Sequence, residues 1–111
     1  EARELLDLAA RNKWRDFAVL NLDVTKDDEV TAAIREAERK TGHGLDAVIN
    51  NAGVGLGGPV ELADIEAMSM IMDVNLYGYL RVARAALPAM RRRKQGLVIA
   101  VSSQLGRIVV P

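Results

Sequence analysis

Cysteine is absent from all 111 residues, which excludes disulfides and thiolate metal sites. Net charge is absent too. Lysine plus arginine and aspartate plus glutamate each number 15, so no overall field steers the chain toward nucleic acid or an anionic membrane. No apolar run approaches the ~20 residues that a membrane-spanning helix needs. The single histidine, His43, stands between Gly42 and Gly44 with no carboxylate or cysteine pattern beside it, and reads as a solvated turn residue with no metal to hold. What is present is the apolar content of a globular core, 50% hydrophobic residues. A cytoplasmic protein acting on small molecules is the default. Glu1 lies directly in a helix-like pattern with no start region before it, so the chain reads as an interior piece of something longer.

Helix-like and strand-like patterns alternate, as expected of a parallel sheet with helices on its faces. A first helix is predicted over 2–12, with Leu5, Leu6, Ala9 and Ala10 on one side, followed by a strand at 17–23. In the second helix Val30, Ala33, Ile34 and Ala37 fall at i, i+3, i+4 and i+7. Thr25 offers a cap with Asp28 three residues on, and Gly42 and Gly44 offer the stop. A strand at 45–50 and a glycine-rich loop lead to a long helix over 64–93, capped by Asp64, with Arg91, Arg92, Arg93 and Lys94 as a solvated basic end. Gly78 weakens that helix, and Pro88 should kink or loosen its last third. Leu97 to Ser102 is the third strand. Met68, Met70 and Met72 read as core and interface filler, and Tyr77 and Tyr79 as packing residues.

Each predicted strand ends in small polar residues: Asp23-Val24-Thr25, Asn50-Asn51-Ala52-Gly53 and Ser102-Ser103. In open parallel sheets ligands bind beyond the carboxyl ends of strands, and Ala52 and Gly53 would let backbone approach a flat group there. Taken singly, each motif has a plainer reading. Asp-x-Thr and Asn-Asn-x-Gly are turn formers, a serine pair often closes a strand, and Asn75 could satisfy its amide on its own helix. Gly53-x-Gly55-x-x-Gly58 spells the dinucleotide fingerprint but does not open into a helix, so it is rejected.

Taken together and in order, Asp-Val-Thr, Asn-Asn-Ala-Gly, Asp-Val-Asn within a long helix and Ser-Ser-x-x-Gly resemble the short-chain dehydrogenase/reductase family across essentially the whole chain. Gly58-Pro59-Val60-Glu61 and Arg84-Ala85-Ala86-Leu87-Pro88 are similar to phrases in the branch that reduces steroid-like and retinoid-like ketones. The resemblance implies an α/β fold, a partial Rossmann-type doubly wound parallel sheet of three strands and three helices. Residues 1–111 would be part of an NAD(P)-binding domain, without its N-terminal glycine-rich strand-helix unit and its C-terminal Tyr-x-x-x-Lys. It also implies NAD or NADP as cofactor and hydride transfer to or from a ketone or secondary alcohol. Asp23 and Val24 would meet the adenine, and Asn51, Ala52 and Gly53 the adenosine ribose, while Asn50 ties neighbouring strands. Asn75 would bend its helix and present its carbonyl to a proton-relaying water, and Ser103 would polarise the substrate carbonyl. The parent is expected to form a homodimer or homotetramer through helix 64–93, and this chain, lacking the tyrosine and lysine, to be inactive alone. The rival reading is a non-catalytic dinucleotide-binding or interaction module.

Overall fold

The computed structural model describes residues 2–107. Its elements run α1 (Ala2–Arg11), α2 (Asp27–Thr41), β1 (Ala47–Asn50), α3 (Ile65–Met72), α4 (Tyr79–Arg93) and β2 (Leu97–Ala100), with short 3-10 turns at Val60–Leu62 and Gln104–Gly106. The strands β1 and β2 are parallel and in register from Ala47 opposite Leu97 to Asn50 opposite Ala100. A helix crosses between them, so this is the α/β architecture that the alternation predicts.

The core forms where three elements converge. Val30 and Ile34 of α2, Val48 of β1 and Val82, Ala86 and Met90 of α4 are buried together. Two of the four α2 positions picked out by helical spacing are in this cluster, and Ala33 and Ala37 are half-buried. Gly42 ends α2 in the left-handed conformation at φ 75°, its N–H donating to the Glu38 carbonyl, where a side chain would be strained. Asp64 caps α3 by accepting from the N–H groups of Glu66 and Ala67.

Several expectations are corrected. Residues 17–23 form no strand, because among the described residues β1 pairs only with β2 and nothing offers 17–23 a ladder. For the same reason the side of α1 carrying Leu5 and Leu6 is exposed, and only Ala9 of that helix is buried. Thr25 does not cap α2. Its N–H and hydroxyl both donate to Asp23 Oδ1, at 2.9 and 2.7 Å, while Lys26 occupies the cap position without a side-chain bond. The long helix runs unbroken through Pro88 and is interrupted earlier, at Asp73–Gly78, by a wide π-type turn. Arg93 is no solvated end: it donates to the carbonyls of His43 and Leu45 and to Asp46 Oδ1, tying α4 to the turn before β1. Met68, Met70, Met72 and Tyr77 are exposed, so they fill no core of this chain.

Candidate functional site

The wide turn at Asp73–Gly78 is the organising element. A π-type turn adds a residue to a helix and commonly marks a functional position. Asn75, inside it, reaches across to the loop that follows β1. Its Nδ2 donates to the Val54 carbonyl at 2.8 Å and its Oδ1 accepts the Val54 N–H at 2.9 Å. The primary amide thus imitates a strand neighbour for one residue of a loop that has no strand beside it. Its bonds go to this loop and not to its own helix, contrary to the plainer reading of a mid-helix asparagine. Asn51, Ala52 and Gly53, immediately upstream of Val54, are exposed.

A second segment is fastened to the same turn. Val24 packs against Gly78 so closely that a Cβ there would lie 2.8 Å from Val24 Cγ2, which explains glycine where helix propensity disfavours it. Arg81, one turn into α4, donates to the Val24 carbonyl at 3.3 Å, to the Asp73 carbonyl at 3.3 Å and to Asp73 Oδ1 at 2.7 Å. Its Nε also pairs with Asp27 Oδ1 at 3.1 Å. Asp73 chiefly raises the arginine's affinity for its proton. Asp23, next to Val24, holds its carboxyl below the usual carboxylate range, mainly through the Thr25 N–H and then the Thr25 hydroxyl, with Lys26 and Arg81 assisting. Its Oδ1 is taken by Thr25, and its Oδ2 forms a loose 3.9 Å ion pair with Lys26.

Ser102 and Ser103 follow β2 after Val101, at the end of the sheet where Asn51 follows β1, since the strands are parallel and the Val101 N–H donates to the Asn50 carbonyl at 2.9 Å. Both serines are exposed, and the Ser103 carbonyl accepts the Gly106 N–H at 3.3 Å. A cavity of about 520 Å³ opens here, with Leu22, Val24, Asn51, Ala52, Asn75 and Ser102 among its walls. Four of the candidate residues, namely Val24, Asn51, Ala52 and Asn75, therefore share one hollow, while Asp23, Gly53 and Ser103 adjoin residues that line it. Asn50 also lines it, and its buried Nδ2 has no hydrogen-bond partner among the described residues, although a strand-tying role requires one. Sequence reasoning missed Arg81 and Val54. The bonds that tie them into the site, Arg81 to the Val24 carbonyl and the Val54 peptide unit to Asn75, involve backbone atoms distant in sequence, which no side-chain pattern encodes.

A parallel sheet whose strand ends meet a cavity beside a broken helix defines a Rossmann-type α/β ligand-binding fold. Comparison with known proteins narrows this. The sequence profile of short chain dehydrogenases matches residues 1–111, and the chain belongs to that family. It is 41% identical over 90 residues to retinol dehydrogenase 8 from Bos taurus, a match covering 81% of this chain and 28% of that protein. Among solved structures, a short-chain dehydrogenase from Streptomyces avermitilis superposes with a TM-score of 0.85 at 28% identity, covering 98% of this chain and 40% of the other. An NADPH-bound carbonyl reductase from chicken fatty liver gives 0.81 at 26% identity, covering 95% and 44%. The chain thus spans less than half the length of each of these relatives.

Proposed function

We propose that the protein carrying this chain is an NAD(P)-dependent oxidoreductase that moves hydride between a nicotinamide cofactor and a ketone or secondary alcohol. Residues 1–111 would supply part of its nucleotide-binding domain and two members of its catalytic set. The single observation that carries this reading, beyond family membership, is that one wide turn holds Val24, against Gly78, and Val54, which directly follows Asn51 to Gly53, through Asn75.

The site suits a dinucleotide. Ala52 and Gly53 leave backbone accessible at a strand end, and the cavity volume lies within the ~300–1,000 Å³ typical of small-molecule and cofactor sites. Bound there, the nicotinamide supplies the hydride chemistry. The chain's own residues supply geometry. Asp23, charged at neutral pH and with Oδ2 held only loosely, accepts from the adenine amino group beside the Val24 backbone. Asn51, Ala52 and Gly53 line the adenosine ribose. Asn75, its side chain oriented by the two bonds to Val54, offers its main-chain carbonyl to a water relay. The Ser103 hydroxyl polarises the substrate carbonyl and stabilises the developing oxyanion.

The test is NAD(P)H oxidation by the whole protein with a panel of apolar ketones. Ser103→Ala should lower kcat by ~10²- to 10³-fold while leaving the cofactor KM nearly unchanged. The 111-residue chain alone, with neither Tyr-x-x-x-Lys nor another acid-base pair after Ser103, should turn over nothing. Tight nucleotide binding without turnover by the whole protein would instead favour the binding-module reading.

A further inference from the structure

We propose that Arg81 is a positioning residue for the adenine half of the nucleotide, fixing the Val24 backbone against the wide turn that also holds the loop after β1. This inference rests on the nucleotide reading above. Whatever sheet residues 17–23 join in the whole protein, two contacts from α4 and its preceding turn tie Val24 to the helix side of the site. The Val24 side chain abuts Gly78, and the Val24 carbonyl accepts from Arg81 Nη1 at 3.3 Å. The same guanidinium reaches Asp73 Oδ1 at 2.7 Å, the Asp73 carbonyl at 3.3 Å and Asp27 Oδ1 at 3.1 Å.

Because the guanidinium is planar, these donors are locked in one fork. Movement of Val24 is therefore movement relative to Asp73, two residues before Asn75, whose amide carries Val54. An ammonium is a point charge on a flexible stem and cannot serve the Val24 carbonyl, Asp73 and Asp27 together, so lysine is not a conservative replacement. The side chain is only 20% exposed, which keeps water from competing freely for the fork. Arg81 touches neither cofactor nor substrate in this assignment; it acts through Val24.

The experiment uses the whole protein and two probes. ADP carries the adenine half common to NAD and NADP, and reduced nicotinamide mononucleotide carries the other half. Arg81→Lys should raise the Kd for ADP about tenfold, one charge-assisted hydrogen bond's worth, and leave that for the mononucleotide within about twofold of wild type. Asp27→Asn, at an exposed helix start, is the second variant should Arg81→Lys fold poorly. It removes one arm of the fork and should raise the ADP Kd about threefold. An unchanged ADP affinity in both variants would overturn the proposal and leave the nucleotide reading intact, as would equal losses for the two probes, which would show general loosening. Failure of the wild-type protein to bind ADP, NADH or NADPH would sink the nucleotide reading itself.

Discussion

Asn75 uses both ends of one amide on one peptide unit, and that reciprocity sets what a substitution does. Asn75→Asp keeps an acceptor for the Val54 N–H but sets a carboxylate against the Val54 carbonyl, whereas Asn75→Ala removes both bonds. Either should cost about 1 kcal/mol of stability, with aspartate the worse of the two near neutral pH, and should speed amide exchange at Val54 well above wild type. Thermal unfolding with residue-resolved hydrogen exchange checks this; slow exchange at Val54 in the alanine variant would show that the loop is held by something else. That Asn75 mattered was legible in the sequence, because asparagine gains nothing in a helix interior. Its partner was not: Val54 lies 21 residues away and offers only backbone.

Helix α2 shows what a pattern can and cannot specify about an element. Apolar spacing located its buried side and glycine its stop, but Thr25 was misread as the cap because Asp23, two residues earlier, competes for the same hydroxyl. On the outer face, Arg39 grips Glu36 with two bonds of 2.7 Å, and Lys40 adds a 3.6 Å contact. The arginine bond above all lowers the Glu36 carboxyl from 4.5 to about 2. A carboxyl depressed by folding contributes stability in full above its ordinary value and loses it as pH falls toward the folded one. The Glu36 share is therefore complete above pH 4.5 and gone near pH 2, and Glu36→Gln should flatten that part of the Tm-against-pH curve. The effect should be small, since the pair is solvated.

The long predicted helix makes the complementary point. Its cap and the disturbance at Asn75 and Gly78 were legible, but Pro88 was given too much weight: the interruption falls at Asp73–Gly78, where the loop bond and the Val24 contact act, and the helix continues through Pro88. Its two parts leave Met70, Leu80 and Leu87 exposed at 56%, 44% and 46%. An apolar stripe of this kind suits the proposed subunit interface. In the whole protein, Leu80→Glu with Leu87→Glu should shift the sedimentation profile toward monomer; an unchanged profile would place the interface elsewhere.

At the scale of the molecule, the chain is looser than its length warrants. Its radius of gyration is 16.6 Å, against about 13 Å for a folded chain of this size. Its accessible surface is 9078 Å², against roughly 6,000 Å². Exposed apolar side chains occur along the chain, from Phe17, Leu20 and Leu22 to Val60, Leu62 and Ile65. Composition and alternation predicted three strands and two formed, because a strand exists only through its neighbours. By the family's strand order of 3-2-1-4-5-6, residues 17–23 and β1 would be third and fourth, separated by two others. That spacing is about 14 Å. The orphaned Asn50 amide and the cavity along β1 fit such a gap. The 111-residue chain by itself should accordingly unfold with low cooperativity and leave the amides of Val19 and Leu20 unprotected. Strong protection at both, in a monomer, would mean that a rearranged sheet had closed the gap.

The wide turn also fixes a matter of phase. Each residue advances an α-helix by about 100°, so the extra residue accommodated within Asp73–Gly78 rotates everything upstream of it relative to α4. With that offset the inward stripe of α4, through Val82, Ala86 and Met90, runs on through buried Gly78 and half-buried Val74 to half-buried Ile71 and Ala67 of α3. The extra residue is spent on Asn75, which lies outside that stripe and is turned toward Val54. Shortening the turn by one residue would put the two helices out of step and swing Asn75 off Val54.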